Sequence, residues 1–262
     1  MPTTPLIAYA HVGKTFDDGR VRAVDDVSLD VAEGEFLAIV GGSGSGKTTL
    51  LRLANRLIEA DSGSITVEGE DVQNVDPILL RRRIGYVFQS GGLFPHLSVA
   101  GNIGITPKLT GTPPAEISAR VDELLDLVRL DRAQYRDRLP HELSGGQRQR
   151  VGVARALAAK PRIVLMDEPF GALDPLTRDA LGDDFRELHR TLGLTTVMIT
   201  HDMTEAILLA DRIAVMGGGR LLAQGTPSEL SESSDAYVGE LLRTPRRQAE
   251  RLGALLPQDG AA

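Results

Sequence analysis

Residues 36–57, FLAIVGGSGSGKTTLLRLANRL, constrain the fold of this chain more than any other stretch. Five apolar residues (36–40) read as a buried strand and residues 41–46 as a glycine-rich turn. Lys47 then opens a helix whose Leu50, Leu51, Leu53, Ala54 and Leu57 recur at helical spacing. Gly41, Gly46, Lys47 and Thr48 satisfy G-x-x-x-x-G-K-[ST]. A triphosphate needs several backbone N–H groups converging on it, and a Cβ at each position would block that approach. The helix N-terminus adds partial positive charge. Lys47 can reach the β- and γ-phosphates and the Thr48 hydroxyl can ligate Mg²⁺, while Gly42, Ser43, Gly44, Ser45 and Thr49 complete the cradle. A flexible Gly/Ser loop is the plain alternative, since Gly fills 28 of 262 positions, but it would not require the flanking strand and helix.

The remaining chain reads as strands alternating with helices, which implies a largely parallel sheet covered on both faces. Residues 6–31 read as two or three short strands with a turn at Asp17, Asp18 and Gly19, and Phe16 beside that turn reads as a strand-edge core residue. Further strands are expected at 64–67, 84–88, 162–166, 195–200, 213–216 and 220–223, with helices at 115–130, 146–159, 175–192 and 203–209. From Ser90 the chain turns rich in Gly and Pro, with apolar Leu93, Phe94, Leu97 and Val99. A helical insertion is expected over about 90–140, and with the next helix it makes a subdomain of about 90–160 inside a single domain spanning 1–244. The tail, 245–262, is polar and expected to lack order. Arg81, Arg82 and Arg83 read as a solvated face.

Bulk properties exclude several classes of function. Zero cysteines rules out disulfides, thiolate metal sites and cysteine nucleophiles. A net charge of −7 argues against a basic nucleic-acid-binding face. No apolar run approaches the roughly 18–20 residues that span a bilayer, so membrane association is expected only through a partner protein.

Three strand ends carry candidate chemistry. Residues 163–168, IVLMDE, deliver Asp167 to hold Mg²⁺, through water, and Glu168 to polarise an attacking water. His201 ends the strand in VMITHD, on the same edge, where it can contact a γ-phosphate. Gln89, also at a strand end, can supply a carbonyl oxygen to Mg²⁺ and sense the γ-phosphate. Leu143, Ser144, Gly145, Gly146 and Gln147 form a second phosphate device at a helix N-terminus, although Ser144 also suits a helix cap. One chain already holds its triphosphate at 41–48, so a second reader is useful only if it faces another subunit's nucleotide.

These motifs, GGSGSGKT, Gln89, LSGGQ, LMDEP, Ala172-Leu173-Asp174 and His201, occur in the order that resembles ATP-binding-cassette ATPases, over residues 6–230. The resemblance implies a P-loop NTPase of α/β class: a mostly parallel sheet core, an N-terminal antiparallel β subdomain and a helical subdomain inserted after Gln89. It implies ATP and Mg²⁺ as ligands, with Lys47, Glu168 and His201 catalytic and Thr48, Gln89 and Asp167 around the metal. It also implies a head-to-tail dimer in which Ser144, Gly145, Gly146 and Gln147 cap the partner's ATP. Phe16 falls where the family has an aromatic that stacks on adenine, which reverses the core reading, and Asp174 falls where the family signals between sites. The stretches 55–63, 84–99, 140–157 and 167–179 closely resemble ATPases of importers for glycine betaine, choline, carnitine and related osmoprotectants. That branch implies a membrane permease docking near residues 89–99, an extracytoplasmic substrate-binding protein acting indirectly, and a place on the cytoplasmic face of the membrane. Many of its members carry a C-terminal pair of small regulatory domains, and this sequence stops short of them, so sensing through such domains is not expected. Alternatives with the same fold are importers of amino acids or oxyanions, or an exporter. A cassette ATPase acting on DNA or ribosomes fits less well, given one cassette, no coiled-coil arms and an acidic balance.

Overall fold

A computed structural model describes residues 5–89, 91–171 and 173–255. Ser90 at the head of the expected insertion, Ala172 and residues 256–262 of the tail lie outside the described residues. In chain order the elements begin with β1 (Ile7–Phe16), β2 (Val21–Val31), β3 (Phe36–Val40), α1 (Lys47–Ala54), β4 (Ser62–Val67) and β5 (Glu70–Asp71). There follow α2 (Pro77–Arg83), β6 (Ile84–Val87), α3 (Val99–Ile103), α4 (Ile105–Leu109), α5 (Pro114–Leu127), α6 (Arg132–Tyr135) and α7 (Gly145–Leu157). The last third contains β7 (Ile163–Asp167), α8 (Pro175–Leu192), β8 (Thr195–Ile199), α9 (Met203–Leu209), β9 (Arg212–Gly217), β10 (Arg220–Gly225), α10 (Pro227–Ser231) and α11 (Ala236–Leu255).

Among the described residues the main sheet runs β10-β9-β3-β8-β7-β6, parallel except at β10. The second sheet, β2-β1-β4-β5, is antiparallel. Its long strands replace the short ones expected over 6–31. The central parallel strands β3, β7 and β8 are buried at every position because both of their faces are covered. Alternate residues enter different cores: Phe36, Ala38 and Val40 join the layer with α5, α7 and α8, whereas Leu37 and Ile39 join α1 and the antiparallel sheet. Phe36 is fully buried and meets Phe185 of α8 edge-to-face, with ring centroids 5.9 Å apart. Burial of a side chain of that size contributes about 2 kcal/mol.

The helical subdomain forms after β6 as expected, beginning with two short helices that periodicity does not reveal. Helix α3 depends on Asn102, fully buried, whose amide donates to the Phe94, Leu97 and Ser98 carbonyls and accepts from the Phe94 N–H at 2.8 Å. The three arginines end α2, where Arg81 binds the Asn55 and Arg56 carbonyls and Arg83 pairs with Glu70. Helix α11 crosses the boundary expected at residue 244, carrying Pro245 within it. The topology brings the C-terminal ends of β3, β6, β7 and β8 to one edge of the main sheet, where ligands of such folds gather.

Candidate active site

Strand β3 hands the chain to the glycine-rich loop. Gly41 (φ 152°) and Gly46 (φ 98°) have no room for a Cβ, which would run into the Met216 carbonyl of β9 and the Ala23 carbonyl of β2. Packing on neighbouring backbone therefore requires both motif glycines, in addition to the phosphate approach expected from sequence. Gly42, Ser43 and Gly44 are exposed at the mouth, Ser45 is buried, and Thr49 is half-buried in α1. Lys47 folds back over the loop, and its ammonium donates to the Gly41 and Gly42 carbonyls at 2.8 and 2.9 Å and to Ser45 Oγ at 3.4 Å. Burial lowers its pKa, against the opposing charges of Glu168 and Asp167. A phosphate oxygen is a stronger acceptor than these carbonyls, so the ammonium is poised to exchange them for one.

At the start of α1 the Thr48 hydroxyl donates to Asp167 Oδ1 at 3.1 Å. The other carboxylate oxygen of Asp167 is held by the Arg52 guanidinium at 3.4 Å and the Tyr86 hydroxyl at 3.3 Å. Burial, then the Asp167 charge, pushes the Tyr86 phenol up to about 12, so it stays a donor. Arg52 and Tyr86 were not singled out from sequence. The signal for Arg52 was its place four residues after Thr48, one helical turn along the same face. A Thr hydroxyl and an Asp oxygen at this separation suit Mg²⁺, which takes one or two protein oxygens and completes its shell from phosphates and water. The described residues contain no cluster of three or more His, Asp or Glu that could hold a metal ion.

Glu168 follows β7 with its backbone in the left-handed region (φ 46°), and its N–H donates to the Ile199 carbonyl of β8 at 3.0 Å. A non-glycine residue there is uncommon and needs its surroundings to hold it. The twist leaves its carboxylate between two neighbours from other strands: Gln89 Nε2 donates to Oε2 at 2.8 Å, and His201 Nδ1 lies 3.5 Å from the same oxygen. Gly171 sits beside both Glu168 Oε2 and His201. The structure therefore brings Gln89, Glu168 and His201 together beside the Thr48–Asp167 pair. Gln89, expected near the metal, is bonded to Glu168.

Ser144 caps α7. Its hydroxyl accepts from the Gln147 N–H at 3.3 Å while Gln147 Oε1 accepts from the Ser144 N–H at 2.9 Å, a reciprocal capping box. The Gln147 amide also donates to the Tyr135 hydroxyl at 3.0 Å. The cap reading of Ser144 thus holds, and the segment faces outward, with Ser144 and Gly145 exposed. Gly146 has a packing reason: a Cβ would lie 2.6 Å from Thr177 Cγ2 at the start of α8. Gly145 has none, since a Cβ there meets nothing closer than 4.0 Å. No hydrogen bond among the described residues joins 144–147 to the phosphate loop of the same chain.

Phe16 closes β1 with a ring that is 40% exposed and belongs to neither core, which rules out the strand-edge core reading. Asp174 caps α8, accepting from the Thr177 N–H at 3.0 Å. Tyr237 of α11, absent from the sequence reading, accepts the Gly42 N–H at 3.0 Å and so touches the phosphate loop from the far end of the chain.

A model of the ABC transporter family matches residues 24–171. The chain is 48% identical over 257 residues to the glycine betaine/carnitine/choline transport ATP-binding protein OpuCA of Bacillus subtilis, over 96% of this chain and 67% of the relative. It is 51% identical over 222 residues to the glycine betaine uptake system ATP-binding protein YehX of Escherichia coli, over 85% of this chain and 71% of the relative. The chain spans about two thirds of the length of these curated relatives. Among solved structures, a dimeric post-hydrolysis state of the ATP-binding cassette MJ0796 bound to ADP and Pi superimposes with a TM-score of 0.76 at 32% identity, over 84% of this chain and 98% of that one.

Proposed function

The chain belongs to the ABC transporter family, and from that membership we propose that it is the ATP-hydrolysing subunit of an osmoprotectant importer, working as a head-to-tail dimer beneath a membrane permease. The observation that carries the reading is the Glu168 carboxylate fixed between Gln89 and His201 beside the Thr48–Asp167 pair. In this reading the amides of the phosphate loop bind the triphosphate and Lys47 moves from the loop carbonyls to the β- and γ-phosphates. Glu168 polarises the attacking water, His201 contacts the γ-phosphate, and Gln89 reports its presence. Thr48, Asp167 and the Gln89 carbonyl would hold Mg²⁺, whose contribution is to neutralise charge on the phosphate oxygens. Phe16 stacks on adenine.

The exposed Gly145, bare without an internal reason, supports a ligand delivered from outside the protomer: the nucleotide of a second copy, read by Ser144, Gly145, Gly146 and Gln147. A cleft of about 430 Å³, lined by Tyr86, Phe88, Phe94, Leu109 and Arg155, opens beside residues 89–99 and supports docking of the permease there. Phe88, Phe94 and Leu109 are 42, 44 and 60% exposed. Among the described residues no helix is long and apolar enough to cross a membrane, so the attachment to its cytoplasmic face would run through that contact. The substrate class rests on the relatives' names, because the cassette does not touch the cargo.

One experiment tests these layers. In vesicles holding the permease and its binding protein, hydrolysis should rise when glycine betaine, choline or carnitine is supplied. Glu168→Gln should bind ATP normally, lose at least about 10²-fold in turnover and accumulate as an ATP-bound dimer. Normal turnover in that variant sinks the catalytic assignment. Stimulation by sulfate or an amino acid in place of the quaternary amines overturns only the substrate class.

A further inference from the structure

Strand β1 outruns one of its neighbours. Its register with β4 ends at Gly13 opposite Ser62, whereas its register with β2 continues through Thr15 opposite Arg22 and Phe16 opposite Val21. Residues 14–16 therefore have an open edge on the β4 side, and an open edge leaves backbone groups in need of partners. Asp61, the residue before β4, fills the gap. One carboxylate oxygen accepts the Thr15 N–H at 2.7 Å and the Thr15 hydroxyl at 2.8 Å, the other accepts the Lys14 ammonium at 2.6 Å, and the Asp61 N–H donates to the Gly13 carbonyl at 2.9 Å. These bonds hold the Asp61 carboxyl down at about 2, so it is ionised throughout the neutral range. The next residue is Phe16, whose exposed ring belongs to neither core and is placed by the backbone that leads to it. The tethered Lys14 ammonium lies 5.5 Å from the centre of that ring.

We propose that Asp61 is a positioning residue for the nucleotide-stacking face of Phe16, standing in for the missing strand so that the ring is held ready for the base. The inference rests on the reading that Phe16 stacks on adenine. An ordinary surface ion pair contributes little and is indifferent to what binds nearby. A positioning role is different, because it affects only ligands that carry a base.

The test compares affinity for MgATP with affinity for magnesium tripolyphosphate, which has the phosphates and no base. Phe16→Ala should weaken MgATP about tenfold and leave tripolyphosphate unchanged. Asp61→Ala should weaken MgATP by roughly three- to fivefold, leave tripolyphosphate unchanged and add nothing in the Phe16→Ala background, with KM rising and kcat holding. Asp61→Asn, which keeps an oxygen for Thr15 but loses the charge facing Lys14, should fall between Asp61→Ala and wild type. Unchanged MgATP affinity in Asp61→Ala, with Phe16→Ala weakened, overturns the Asp61 assignment alone. Equal weakening of tripolyphosphate also overturns it, because the residue would then act on the fold at large. An unaffected Phe16→Ala overturns the stacking reading itself and the assignment of Asp61 with it.

Discussion

His189 of α8 lies behind the phosphate-loop strand, 3% exposed, with its ring centroid 5.1 Å from that of Phe36 and Nδ1 3.0 Å from the Thr196 hydroxyl. Burial is the main reason its pKa is lowered, and the nearby Arg186 guanidinium adds to it. The native state thus holds the ring neutral, while the unfolded chain takes up a proton below about pH 6.5. Above that value neither state is protonated and the stability is fully present. As pH falls below it, the unfolded state gains a proton that the native state refuses, and stability declines until the lowered native pKa is reached. Each unit of pKa difference is worth about 1.4 kcal/mol. The melting temperature should therefore fall between about pH 7.5 and 5.5, and His189→Gln, which keeps a partner for Thr196, should flatten that fall. Identical slopes in the two proteins would show that this histidine is not a source of the dependence. At the same scale, Glu168 was legible as a carboxylate ending a buried strand, but its left-handed backbone was not, because its partners Ile199, Gln89 and His201 come from distant parts of the chain.

At the scale of elements, α11 is the piece whose role the sequence concealed. Its residues from 245 onward look like a polar tail, yet the helix runs Ala236–Leu255, with Val238 fully buried and Tyr237 bonded to Gly42. Asp235 fixes its first turn by accepting the Tyr237 and Val238 N–H groups at 2.9 and 3.1 Å. Gly42 is exposed, so water can replace a lost hydroxyl. Tyr237→Phe should therefore cost about 0.5 kcal/mol, roughly twofold in nucleotide affinity, with faster amide exchange at Gly42. Val238→Asp, which buries an unpaired charge, should instead unfold the helix and lower the melting temperature sharply. Exchange at Gly42 that is indifferent to the Tyr237 hydroxyl would remove α11 from the site. Strands β3 and β7 and helix α8 were readable because they advertise themselves locally, as the apolar runs FLAIV and IVLM and as a helix between Pro175 and Gly193. Helices α3 and α4 have five residues each and persist through contacts such as those of Asn102, which no local pattern encodes. The candidate site divides the same way. Residues 41–49 and 167–168 sit in contiguous motifs, whereas Arg52, Tyr86 and Tyr237 reach the site through the fold.

At the scale of the whole molecule, no hydrogen bond among the described residues joins the phosphate loop to the exposed Ser144 segment. If each Ser144 segment serves the partner's nucleotide, every site in a symmetric pair contains one phosphate loop and one foreign segment. Ser144→Arg should then be inactive alone, because both Ser144 segments are blocked, and Lys47→Ala should be inactive alone, because both loops are crippled. Mixed, they form a dimer in which the intact loop of the Ser144→Arg chain faces the intact segment of the Lys47→Ala chain. Random pairing makes half the dimers mixed, each with one whole site of two, so single-turnover hydrolysis should recover to about a quarter of the wild-type amplitude. A protomer that completed its own site would recover nothing on mixing, since no chain in the mixture carries both intact parts. The recovered fraction should also fall as the mixture is diluted below the concentration at which ATP holds the pair together, whereas activity confined within single chains would be indifferent to dilution.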